Sequence, residues 1–202
     1  MTSRLVVNSV RHTGASADAI TMDASGNVTF PGNATCSGTP SGFGGITMAD
    51  KWAMTNDYSL SSASTYYTIT GTWARSTSAG YSGSSSIGSA MTESSGVFTF
   101  PSTGIYYIVY DCLTGTTQDQ TNMWSYITVG ADNTSTNYLS VMASSGDSGT
   151  MNTVTHSAML DVTNTSNQKV FLRGYAGSTG SYVSGNANLQ RSAVTFIRLG
   201  DT

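Results

Sequence analysis

The sequence predicts an all-β protein, a sandwich or jelly roll preceded by a short β-rich segment. The first observation is the stretch Val97 to Tyr110, VFTFPSTGIYYIVY, which reads as two strands meeting at a Pro-Ser-Thr-Gly turn. Its first run sets Val97 and Thr99 on one side and Phe98 and Phe100 on the other. Gly104 to Tyr110 is almost unbroken in β-branched and aromatic residues, the pattern of a strand buried on both faces. The second observation is composition: only 9% of the 202 residues are charged, with the single glutamate Glu93, so the residues that normally populate solvated helix faces are scarce. The third is punctuation, because short apolar runs recur between Gly, Ser, Asn and Asp clusters and no segment has a strong helical period.

Taken in order, residues 1–40 hold three apolar runs, Leu5 to Val10, Ala19 to Asp23 and Asn27 to Gly38, separated by Gly and Ser. Asp23 to Asn27, DASGN, is a hairpin signal: Gly26 and Asn27 tolerate positive φ, and Asp23 can bond to the backbone ahead of it. Three scattered strands cannot build a core alone, so this segment is expected to dock on symmetry mates or on another surface through Leu5, Val6, Val7, Ile20, Val28 and Phe30. Gly38 to Gly45, GTPSGFGG, is the expected boundary. Residues 41–202 form one domain long enough for a conventional core, since about 150 residues bury roughly 68 to 70% of their unfolded surface. Strands are expected at Lys51 to Tyr58, Tyr66 to Ala74, Val97 to Phe100, Ile105 to Leu113, Met123 to Val129, Tyr138 to Met142, Met151 to Val162, Lys169 to Tyr175 and Ala193 to Leu199. Ser76 to Ser95, rich in Gly and Ser, is expected to be a long surface loop, either a binding loop or a plain connection.

Charge and motifs exclude several classes. A formal charge of −3 and a pI near 5.0 offer no basic field to a phosphate backbone, so no nucleic-acid partner is expected. No run approaches the ~20 apolar residues of a membrane helix, and MTSRLVVNSVRHTG is too short in its apolar run for a signal peptide, so no membrane insertion and folding in a cytoplasm are expected. Cys36 and Cys112 are read as free thiols, Cys112 as a small buried hydrophobe; neither has a second Cys or a His at zinc-ligand spacing. The two histidines, His12 and His156, lie in no nucleophilic or metal motif, and His156 is read as a surface or interface strand residue. Gly80-Tyr-Ser-Gly-Ser is a broken nucleophile motif without a strand-to-helix elbow. The acidic residues Asp23, Asp132, Asp147 and Asp201 fall at turns or strand ends, where a backbone-bonded Asp is the ordinary reading. No proton-transfer constellation stands out, so the protein is expected not to be an enzyme. The Asn-x-Thr/Ser triplets at Asn33, Asn133 and Asn164 are those expected by chance from composition.

The F-x-F-P-x-x-G-x-Y-Y pattern and the closing TFIRLGD resemble the C1q/TNF-like jelly roll. Ala49 to Thr55 (ADKWAMT), Met91 to Tyr106 (MTESSGVFTFPSTGIY) and Thr195 to Thr202 (TFIRLGDT) are similar to C1q-like structural proteins of tailed bacteriophages, notably those of marine cyanobacteria, and the likeness covers residues 46 to 202. Asp18 to Thr29 resembles, once, the D-A-I-T-x-D-x-S-G-N-V-T element of phage fibre proteins. The resemblance implies a homotrimer with the outer aromatic residues of the Tyr106 to Tyr110 strand along its axis, so Tyr107, Val109 and Tyr110 are the expected interface residues. Because some C1q-like heads bind calcium, Asp132 with Asn133 and Asp147 are weighed as oxygen ligands, although the six to eight oxygens needed are not visible as a spaced motif; no other cofactor is expected.

The function implied is that of a virion structural protein, assembled in the host cytoplasm and displayed on the virion surface. Its head would project from capsid or tail, and residues 1–40 would anchor it to other virion proteins. Forty extended residues reach at most ~130 Å, a short stalk that suits a capsid knob or a terminal fibre piece. Attachment to a host-surface glycan is a further implication. The alternative is a free carbohydrate-binding lectin using exposed Tyr/Trp and Asn/Ser groups of the same fold.

Overall fold

The computed structural model describes residues 7–32, 46–71, 73–75, 86–134 and 137–202. Leu5, Val6, Cys36, the Gly38 to Gly45 boundary and the first half of the Ser76 to Ser95 segment lie outside the described residues. Two compact units divide the chain, Met1–Phe43 and Gly44–Thr202. Every regular element among the described residues is a strand.

In the first unit, β1 (Ser9–Val10), β2 (Ile20–Met22) and β3 (Val28–Thr29) pair antiparallel in that order. The DASGN turn joins β2 to β3 by the chemistry its residues allow. Asp23 Oδ1 accepts from the amides of Ser25 (2.8 Å) and Asn27 (2.9 Å), its Oδ2 accepts from Asn27 Nδ2 (2.7 Å), and Gly26 sits at φ 84°. Those bonds, with Asn27 foremost, hold the Asp23 carboxyl below its ordinary pKa.

The second unit is a two-sheet sandwich. Its strands are β4 (Met48–Met54), β5 (Tyr58–Leu60), β6 (Thr65–Thr68), β7 (Trp73–Arg75), β8 (Thr92–Ser94), β9 (Val97–Thr99), β10 (Gly104–Thr116), β11 (Gln120–Gly130), β12 (Asn137–Gly146), β13 (Met151–Val162), β14 (Lys169–Ala176), β15 (Ser181–Val183) and β16 (Ala193–Gly200). A seven-stranded sheet runs β5-β15-β10-β16-β4-β7 with β13 on the free side of β10. A six-stranded sheet runs β12-β11-β14-β9-β8 with β6 also paired to β14. The chain crosses between the sheets at every step from β5 to β8, from β9 to β10, from β10 to β11, and at every step from β12 to β15, which is how a jelly roll winds. The Pro101 to Gly104 turn is therefore a corner between layers and not a hairpin. Gly104 is obligatory there: its φ is 142°, and a Cβ would lie 2.6 Å from the Gly200 carbonyl oxygen and 2.5 Å from Arg198 Nε.

Alternation decides the core. Phe98 and Phe100 from β9 and its exit, Tyr106 and Ile108 from β10, Phe196 from β16 and Leu172 from β14 all point between the sheets and are buried. Their rings meet edge-on or tilted, with Phe100 and Tyr106 at 4.4 Å and Phe98 and Phe196 at 5.3 Å between centroids. Tyr106 sends its hydroxyl out to the Ser102 carbonyl, 3.0 Å away. Beside this core, buried Asp50 Oδ2 accepts from Trp52 Nε1 (3.0 Å), Arg75 Nε (3.3 Å) and the Met91 amide (2.9 Å). Arg75 also lies over the Trp52 ring at 4.8 Å.

The sequence-based strands stand with five changes, the first being that Lys51 to Tyr58 divides into β4, which ends at Met54, and β5, which begins at Tyr58. Tyr66 to Ala74 is two strands, β6 and β7, interrupted at Gly71, whose φ is 72°. Residues 92–94 of the expected loop form β8, a hairpin with β9 across Ser95 (φ 53°) and Gly96 (φ 80°), and Met91 is fully buried. The short β15 was not anticipated. Finally, β10 alternates buried and half-buried residues instead of being buried on both faces.

Candidate interaction surfaces

Parity along β10 sorts the residues expected at a trimer axis. Tyr106, Ile108 and Tyr110 face inward, whereas Ile105, Tyr107 and Val109 face outward and are half-buried. Tyr110 is fully enclosed within its own protomer, against Trp73 and His156 at ring distances of 6.4 and 5.5 Å, so its expected interface role is corrected. The reason is arithmetic: Tyr107 and Tyr110 are three residues apart, and in a strand that puts them on opposite faces.

Register carries Tyr107 into a row that crosses four strands. Met159 on β13 and Ile197 on β16 lie opposite it, and Ala49 on β4 follows Ile197. Met159 is 63% exposed and Leu199, on the same face as Ile197, is 52% exposed. The next row, through Val109, is more polar: Ser157, Thr195 and Lys51. The outward face of the seven-stranded sheet thus presents an apolar band.

The first unit exposes apolar side chains as well. Val7, Val28 and Phe30 are exposed, with Val28 at 52%, as is Val10, and Ile20 is half-buried opposite Val10.

His156 is not a surface residue. It points between the sheets, 6% exposed, with Nε2 at 2.7 Å from Ser125 Oγ and Nδ1 at 3.0 Å from Ser140 Oγ. Burial lowers its pKa to about 4. Cys112 lies on the same inward face of β10, free and buried, with its thiol raised to about 11 by burial. Neither side chain is open to a substrate.

The oxygen groups weighed for calcium do not converge. Asp132 and Asn133 precede the ten-residue β12 and Asp147 follows it, so roughly 30 Å of strand separates them. Asp132 Oδ1 accepts from the Thr134 amide at 2.9 Å and from the Thr134 hydroxyl at 2.5 Å; these bonds lower its pKa, as an ordinary turn aspartate. Among the described residues no three His, Cys, Asp or Glu side chains gather as a metal site.

One arrangement escaped the sequence reading. On the outward face of the six-stranded sheet, Trp124 and Tyr126 of β11, Tyr138 of β12, Tyr175 of β14 and Tyr66 of β6 come together. Their ring centroids are 5.0 Å apart for Tyr66–Tyr175 and for Tyr126–Tyr138, 5.6 Å for Tyr66–Tyr126 and 6.3 Å for Trp124–Tyr126. Alternation in WSY (residues 124–126) signals two aromatic residues on one face, but only the pairing of β11 with β12 brings in Tyr138, and only the pairing of β14 with both β11 and β6 brings in Tyr175 and Tyr66.

No protein-family model and no curated protein matches the sequence. Solved structures do resemble the fold. The Eiger TNF of S. frugiperda aligns at TM-score 0.57 and 14% identity, covering 78% of this chain and 96% of that one. Murine APRIL, determined at pH 5.0, aligns at TM-score 0.54 and 11% identity, covering 75% of this chain and 98% of that one. The chain therefore carries the C1q/TNF-like jelly-roll fold expected from its motifs.

Proposed function

We propose that this protein is a non-enzymatic structural protein of a phage virion, a homotrimer whose jelly-roll unit is displayed on the particle surface while the N-terminal unit binds other virion proteins. The observation that carries the trimer is the apolar band Met159–Tyr107–Ile197–Ala49 on the outward face of the seven-stranded sheet. A half-buried Tyr and Ile beside exposed Met and Leu is the kind of surface that isologous or cyclic association removes from water, at about 25 cal/mol per Å². The likeness of ADKWAMT and MTESSGVFTFPSTGIY to cyanophage structural proteins supports the virion assignment, and exposed Val10 and Val28 on a three-strand unit support a docking role for the first unit. Light scattering on the purified chain tests association: a mass near three times 21.0 kDa is expected, and a monomer would overturn the trimer. Electron microscopy of particles carrying labelled protein tests display, with label on capsid or tail expected and its absence from particles overturning the virion role.

A further inference from the structure

We propose that the outward face of the six-stranded sheet is a binding platform for a neutral oligosaccharide, whose sugar rings lie across Tyr66, Trp124 and Tyr138. The three rings are open, at 53%, 38% and 44% exposure, and the platform beneath them is firm. Tyr126 is 5% exposed in the middle of the cluster, and half-buried Tyr175 supports Tyr66. Trp124 lies nearly parallel to Tyr126, at 14° between planes, and Tyr138 is stacked on Tyr66 at 26°. The rings are held in place by strands and not by loops.

The chemistry of the patch selects its occupant. An aromatic face is the negative pole of a quadrupole and attracts the weakly positive C–H faces of a pyranose, while phenol and indole tips hydrogen-bond to its hydroxyls. Four of the five rings are phenols. The Tyr66 and Tyr126 hydroxyls bond to each other, but an apolar protein surface laid over Tyr138 and Tyr175 would bury hydroxyls without partners, at roughly 1–3 kcal/mol each, whereas a sugar satisfies them. The charged side chain in register with the rings, Arg173 opposite Tyr126, is already engaged: Nε donates to Thr68 Oγ1 at 3.3 Å and Nη2 to the Asn133 carbonyl. With that arginine only 6% exposed and a chain charge of −3, neither a nucleic acid nor an anionic glycan finds a counter-charge at the surface, so the fit is to an uncharged ligand. The whole platform belongs to one protomer, so the proposal depends on neither trimer nor particle.

Trp124 is its own reporter, because Trp52 and Trp73 are each only 9% exposed. The full chain would be titrated with maltohexaose, cellohexaose, xylohexaose and mannohexaose while following tryptophan emission and its quenching by acrylamide. Saturable protection of Trp124 by at least one of these is expected. Tyr66→Ala and Tyr138→Ala, both at exposed positions, should keep the far-UV circular dichroism and weaken that binding roughly tenfold each, as loss of one stacking ring does. Protection by none of the four sugars would overturn the proposal. So would binding that both variants leave unchanged, or a fall in light-scattering mass in Tyr66→Ala, which would mean that a second copy covers the face.

Discussion

His156 Nε2 stands 2.7 Å from Ser125 Oγ, and the two bridge the sheets at β13 and β11. The imidazole is buried and its pKa lies near 4, against an ordinary 6.5. Unfolding therefore takes up a proton wherever the pH lies between those values. The native state keeps this contribution above about pH 6.5 and loses it progressively as pH falls to about 4, by an order of 3 kcal/mol. Urea midpoints of wild type and His156→Gln at pH 7.5 and 4.5 check this: the acid-induced drop should be smaller in the variant. Equal drops would show that carboxylates alone set the acid limit.

Asp50 and Arg75 tie β4 to β7 across a largely apolar neighbourhood. Arg75→Met leaves the Asp50 carboxylate, whose side chain is 1% exposed, without its cation and should cost about 3–5 kcal/mol. The double variant Asp50→Asn/Arg75→Met should be less damaged than the two single losses summed, as denaturant titration of all four proteins would reveal. Additive losses would mean that the pair is not coupled.

Tyr107 and Tyr110 should separate by phenotype. Tyr107→Glu places a charge in the apolar band and should reduce the light-scattering mass with the circular dichroism intact. Tyr110→Ala opens a cavity in the core and should cost about 3–5 kcal/mol in urea. The reverse pattern would contradict the parity on β10.

Gly104→Ala meets both a left-handed backbone and two neighbouring atoms. It should destabilise the jelly roll by about 1–3 kcal/mol or more, measured by thermal unfolding. A neutral result would mean that the corner between β9 and β10 relaxes freely.

Local chemistry made much of this legible beforehand. The DASGN turn, the Met151 to Val162 strand and the Pro-Ser-Thr-Gly corner each depend on residues within a few positions of one another, and each stands where its residues place it. The errors have one origin. Tyr110 at the axis, His156 at a surface or interface position and a loop over residues 92–94 all required knowing which sheet each strand joins and which face is covered, and apolar strand residues look alike on both faces of a sandwich.

By itself, then, the sequence determined an all-β chain, because alternation and turn residues are short-range properties, and the C1q/TNF-like jelly roll was what the resemblance of its F-x-F-P-x-x-G-x-Y-Y and TFIRLGD motifs implied. Only the tertiary structure decided where its surfaces are. Tyr66, Trp124, Tyr138 and Tyr175 span more than a hundred residues and become neighbours solely because β11 pairs with β12 and β14, and β14 pairs in turn with β6. The row through Tyr107 exists only because β13, β10, β16 and β4 pair in that register. Long-range pairing places these side chains together, and no local pattern encodes it.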